Sequence, residues 1–272
     1  MDEHLIEEIG MRLANRAYLY RIFHIVFGTE PSSEELSVLS AQETIEALKY
    51  LSAVEQKAPL SFETELQKNG QETSVSAASA PAPSMPASKA TAPKPAPDTL
   101  SDVTALFASL GEKTDDADYI DTLKSNFTRL FLVPSKSYVY PWESPYVGRE
   151  MLLFQESTLD VRNRYREHGF AAVEFGHFPE DHISMMLDFL AHLSTRLFDA
   201  FCDGKDEDVR WILSSQESFL AEHIMNWISL FQESLNEKDN LGFYSQSGEA
   251  LRVFLEIDRL FLKDALLADW AS

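Results

Sequence analysis

Two short stretches hold the residue types from which a site could be built. The first, Tyr138-Val139-Tyr140-Pro141-Trp142-Glu143-Ser144-Pro145-Tyr146, combines four aromatic side chains with a carboxylate, and its prolines together with Pro134 forbid a regular helix. A loop this apolar either plugs the core or lines a groove. The second, Pro179-Glu180-Asp181-His182, sets two carboxylates and an imidazole at the predicted start of a helix. An aromatic groove edged by carboxylates is chemistry for an apolar, cationic peptide, held by burial and by charge-assisted hydrogen bonds. The plainer alternative makes Asp181 a first-turn charge that stabilises its own helix by about 0.3–1 kcal/mol. It makes His182 a satisfied structural histidine.

Catalytic readings fare worse. His168, His177 and His182, with Asp181, lie close in sequence, but Gly169, Gly176 and Pro179 break the chain between them and leave no helical i, i+4 ligand pair. A metal-dependent or nucleotide-using helical hydrolase around His177, Asp181 and His182 is the enzymatic alternative. The helical metal phosphohydrolases place His before Asp, whereas here Asp181 precedes His182. The ten glycines are scattered singly, so there is no phosphate-cradling P-loop and no GxGxxG. Cys202, the single cysteine, sits between Phe201 and Asp203. Neighbouring anions would raise its pKa, and it reads as a core thiol rather than a nucleophile. No cofactor and no resident metal are expected.

The elements that must position these groups are helical. Ile6, Ile9, Leu13, Ala17, Tyr20, Phe23 and Phe27 recur at spacings of three and four, with Gly28 as a plausible cap. Ile45, Leu48 and Leu51 continue the pattern. So do Leu100 to Leu110, Tyr119 to Leu130, and Leu159 to Tyr165. The strongest stripe is Ile183, Met186, Leu190, Leu193, Leu197 and Phe201, and Pro179 at the first helical position would begin that helix. Phe219, His223, Trp227, Leu230 and Phe231 follow, then Leu251, Phe254, Leu255, Asp258, Phe261 and Leu262. No period-two alternation is sustained. The expectation is an all-α, single globular bundle of roughly ten helices spanning residues 1–272, with residues 74–98 as an Ala/Pro/Ser-rich linker inside it. That linker holds half of the twelve prolines and too little apolar surface to offset its ordering entropy.

Composition narrows the function. The 272 residues are 44% hydrophobic, enough for a sizeable core, and 23 basic against 44 acidic residues leave a net charge of −21. Such a charge repels nucleic-acid backbones and anionic lipid and favours cationic partners. No run of roughly 18 apolar residues exists to span a membrane, and the acidic start Met1-Asp2-Glu3-His4 is unlike an export signal. A cytoplasmic location is expected.

Phe131 to Leu190, with PWESPY, STLDVRNRYREHG and PEDHISMMLDFL, resembles the TorD/DmsD family of cytoplasmic redox-enzyme maturation chaperones. FLAEHIMNWISLFQESL and LGFYSQSGEALRVFLEID are similar to the closing helices of that family. The resemblance implies an all-helical, non-catalytic protein that binds the twin-arginine signal peptide and apoprotein of a molybdenum-containing reductase. It would hold that client back from export until its cofactor is inserted, working as a monomer or a domain-swapped dimer. Asp181 and His182 would correspond to the family's Asp-His pair, and Trp142, Glu143 and Tyr146 to its peptide-binding aromatic loop. Two departures stand out: Phe178 occupies the position before Pro179 where an acidic residue is usual, and the Ala/Pro-rich stretch is not a usual family feature. That carboxylate contact is then either missing or replaced by Glu174 or Glu180.

Overall fold

Among the described residues, apolar positions at helical spacing produce eleven α-helices and no strand. The computed structural model describes residues 3–57, 99–148, 153–171 and 179–267. The predicted linker at 74–98, and with it Glu174, His177 and Phe178, lies outside these. The helices are α1 (Glu3–Gly28), α2 (Ser33–Leu39), α3 (Gln42–Lys57), α4 (Thr99–Leu110) and α5 (Ala117–Phe127), the last running into a π-helical turn at Thr128–Leu132. Then come α6 (Ser144–Val147), α7 (Glu156–Glu167), α8 (Ile183–Cys202), α9 (Asp206–His223), α10 (Ile228–Lys238) and α11 (Phe243–Leu267). They form a single helical bundle.

The middle of that bundle is α8, because its stripe is the most continuous. Ile183, Met186, Leu190, Leu193 and Leu197 are all fully buried, each contributing about 1.5–3 kcal/mol of transfer free energy. α1 lies along α8, α9 also packs on α8, and α11 packs on α9. Where α1 meets the first turn of α8, a Cβ on Gly28 would come within 2.6 Å of the Ser184 Cβ. Gly28 therefore permits a close helix crossing; it does not supply the left-handed cap conformation, which among the described glycines falls to Gly169, Gly204 and Gly242. The His24 ring Nδ1 sits 2.8 Å from the Ser184 carbonyl at the same crossing. α3 packs on α4, so helices on both sides of residues 58–98 share one core.

Two expectations need correction. Cys202 is exposed, because it lies five positions beyond Leu197 and so roughly 0.4 of a turn off the buried face. The predicted stripe from Phe219 to Phe231 is interrupted: α9 ends at His223 and α10 begins at Ile228. The Trp227 indole N–H donates to the His223 carbonyl (2.6 Å) across that break. Leu230 consequently faces outward.

One polar cluster is enclosed by the core. Arg16 on α1 pairs with Asp258 on α11 through Nε and, at 3.0 Å, through Nη2. Asp258 also accepts the Tyr20 hydroxyl (2.6 Å), and the Gln216 amide oxygen on α9 accepts from Arg16 (3.1 Å). Gln216 in turn donates to the Ser194 hydroxyl on α8 (2.8 Å). Asp258, the charged member of an apolar stripe, is accounted for by this network.

Candidate functional site

The site begins with how α8 starts. Its N-cap is His182, in extended backbone, and the imidazole Nδ1 accepts the Ser184 backbone N–H (3.1 Å). The expected start at Pro179 is thus too early: Pro179, Glu180 and Asp181 form a buried segment ahead of the helix. That segment runs antiparallel to the aromatic loop in a short bridge between Trp142 and His182. Glu143 N–H donates to the Asp181 carbonyl (3.0 Å), and Ile183 N–H donates to the Pro141 carbonyl (2.7 Å). All five predicted residues, Trp142, Glu143, Tyr146, Asp181 and His182, are gathered on this bridge and the one turn of α6 that follows it.

Asp181 is fully buried and already satisfied. Its Oδ2 accepts from the Ser144 backbone N–H (2.8 Å) and the Ser144 hydroxyl (2.5 Å), and its Oδ1 accepts from the Thr158 hydroxyl (3.1 Å). The carboxylate does sit at a helix start, as expected, but the helix is α6 rather than α8. Glu180, also enclosed, forms a two-point ion pair with Arg162 at 2.7 and 2.9 Å, and the Tyr165 hydroxyl donates to its carbonyl. The two carboxylates latch the segment to α6 and α7.

The aromatic residues of the loop pack inward to different depths. Trp142 packs edge-on to the His182 ring, with centroids 5.2 Å apart, and is nearly buried. Tyr146 is half-buried, stacks on Trp227 at 5.3 Å and donates its hydroxyl to the Tyr140 carbonyl (2.9 Å). Burial raises its phenol pKa. Burial likewise pushes His182 down to about 3, with a smaller contribution from the charge of His24, so the ring is neutral. Glu143 is pulled both ways. Desolvation raises its pKa, while contacts from His223 (Nδ1, 3.1 Å) and Asn226 (Nδ2, 3.4 Å) oppose the rise.

Of the histidines in the metal reading, His177 lies outside the described residues, and the other two have separate partners. His168 stacks on Trp211 (4.3 Å), whereas His182 and Asp181 turn to the separate partners given above. Residues that sequence reasoning read only as parts of the loop or of helices prove central: Ser144, Thr158, Arg162 and His223. Only Ser144 carried a visible signal, standing directly before Pro145 at a helix start. In the segments that follow the latched loop, Val147, Phe154 and Leu159 are exposed apolar side chains. Phe154 holds φ at 60°, a conformation that a bulky side chain rarely adopts. No helix among the described residues is long and apolar enough to cross a membrane.

Residues 96–233, which contain the whole of this site, match the family described as nitrate reductase delta subunit. The chain is also similar to the chaperone protein TorD of Photobacterium profundum, 32% identical over 140 residues, covering 52% of this chain and 63% of that protein. It is similar to that of Aliivibrio fischeri, 29% identical over 166 residues, covering 61% of this chain and 76% of that protein.

Proposed function

Since the chain belongs to the nitrate reductase delta subunit family and has TorD chaperones among its relatives, we propose that it is a maturation chaperone for a molybdenum-containing oxidoreductase precursor. In this reading it binds the client's twin-arginine leader and apoprotein in the cytoplasm, assists cofactor insertion and delays export. It catalyses no reaction of its own.

The support is a latched aromatic loop followed by exposed apolar side chains, on a chain whose charge of −21 favours a cationic ligand. Val147, Phe154 and Leu159 would take the apolar segment of the leader, and Trp142 and Tyr146 would form the floor of the loop. Glu143, Asp181 and His182 would act by holding the loop in shape. Because Asp181 is fully buried among its three donors, a leader guanidinium could reach it only by opening the latch. Strain at Phe154 fits a side chain held out for a partner.

Titration of a fluorescent twin-arginine leader across a salt series tests the proposal. Affinity should fall with salt, since screening weakens exposed charge pairs at a Debye length of about 8 Å near physiological ionic strength. A salt-insensitive remainder should fall in Phe154→Ser and Leu159→Ser. Binding indifferent to salt and to Arg-to-Gln changes in the leader overturns it.

A further inference from the structure

His223, the last residue of α9, is only 4% exposed. Its two ring nitrogens face different surroundings. Nδ1 lies 3.1 Å from Glu143 Oε2, close enough for a ring N–H to donate to that carboxylate. With Nδ1 turned to Glu143, Nε2 is the ring nitrogen left to face the other side. That nitrogen is buried and makes no hydrogen bond, yet Asp160 Oδ2 stands 3.1 Å away, and a Glu222 oxygen joins them in a group whose three atoms lie within 4.8 Å of one another. A ring nitrogen gathered with two carboxylates calls for a positive charge among them, supplied either by a second ring proton or by a bound cation.

We propose that Asp160, Glu222 and His223 form a binding site for one first-row divalent transition metal of the zinc class. One imidazole nitrogen and two carboxylates are an ordinary zinc ligand set, with solvent completing the coordination. Glu143 is the positioning residue: it fixes the tautomer and aim of the imidazole, as carboxylates behind metal-bound histidines do. Glu222 Oε2 also meets Arg164 Nη2 (2.6 Å), which does not exhaust the acceptor sites of the carboxylate. Asp160 and Glu222 are half-exposed and on different helices, so an ion can enter from solvent and tie α7 to α9. Through His223 it also braces Glu143 and the aromatic loop. The nitrogen ligand disfavours Mg2+ and Ca2+, which take oxygen donors. The site is independent of whether a leader binds.

Calorimetric titration of ZnCl2 into the tag-free, EDTA-treated full chain, with thermal melts in parallel, tests it. Uptake of one equivalent and a rise in melting temperature are expected, with MgCl2 producing neither. Asp160→Asn and Glu222→Gln alter exposed positions; both should melt like the wild type without metal and lose at least tenfold in affinity. Glu143→Gln should weaken binding roughly tenfold to a hundredfold. No stoichiometric uptake, equal uptake of Mg2+, or uptake unchanged in Asp160→Asn and Glu222→Gln would each overturn the site.

Discussion

Arg16 and Asp258, 242 positions apart in the chain, form an ion pair sealed from solvent between α1 and α11, and the Tyr20 hydroxyl bonds to the same carboxylate. Removing one partner strands the other charge in the core. Asp258→Ala should therefore destabilise the protein by about 3–5 kcal/mol, as read from urea midpoints. Replacing both partners together, in Arg16→Met with Asp258→Leu, should cost less than the single change. A double variant as unstable as Asp258→Ala would show that the guanidinium is not the issue.

The second expectation concerns Asp181→Asn. Were Asp181 a simple first-turn charge, the change would cost less than about 1 kcal/mol. With Ser144 N–H, Ser144 Oγ and Thr158 Oγ1 all donating to it, an amide must leave at least one buried donor unmet. The loss should reach about 1.5–3 kcal/mol. Ser144→Ala, which removes only the hydroxyl, should cost about 1 kcal/mol. Equal, small losses in both variants would mean that the latch is not an energetic unit.

Acid should weaken the fold through His182. Its folded pKa is lowered to about 3 from an ordinary 6.5, so the unfolded chain takes up this proton first as pH falls. The contribution is fully present above about pH 6.5 and disappears between there and about pH 3, at no more than roughly 1.4 kcal/mol per pH unit. His182→Asn keeps a helix-capping side chain but cannot titrate. Comparison of denaturant midpoints at pH 7 and pH 5 should show a smaller acid loss in the variant, by about 2 kcal/mol. An identical loss in both proteins would place the sensitivity elsewhere, for instance at His168, lowered to about 4 by burial first and then by nearby cations.

Limited proteolysis should cut within Val75 to Thr99 and leave the two fragments associated. α1 packs on α8 and α3 on α4, so the pieces share one core. Size-exclusion chromatography of the nicked protein checks this, and two separately eluting, unfolded fragments would refute it.

The helical architecture was legible because period-3.6 stripes report burial directly: every member of the α8 stripe from Ile183 to Leu197 lies inside. The composition of the site was legible too, since aromatic and acidic residues concentrate in two stretches. Their pairing was not. Asp181 looks the same in sequence whether it serves α8 or α6, and the choice depends on Ser144 and Thr158, whose hydroxyls suit almost any surface. His182 is an unusual helix cap, so Pro179 drew the predicted start of α8 forward. Asp258 stood in an apolar stripe without comment, and nothing local identifies Arg16 as its partner.

The meeting of His24 with Ser184, 160 positions later, also sets a clock. At about 5–20 residues per second on the ribosome, the apolar face of α1 emerges roughly 10–30 s before the helix that covers it. The pairing on which the bundle depends is distant in sequence, so folding has to wait for the later part of the chain. During that interval the nascent protein exposes the kind of greasy helical surface that molecular chaperones bind.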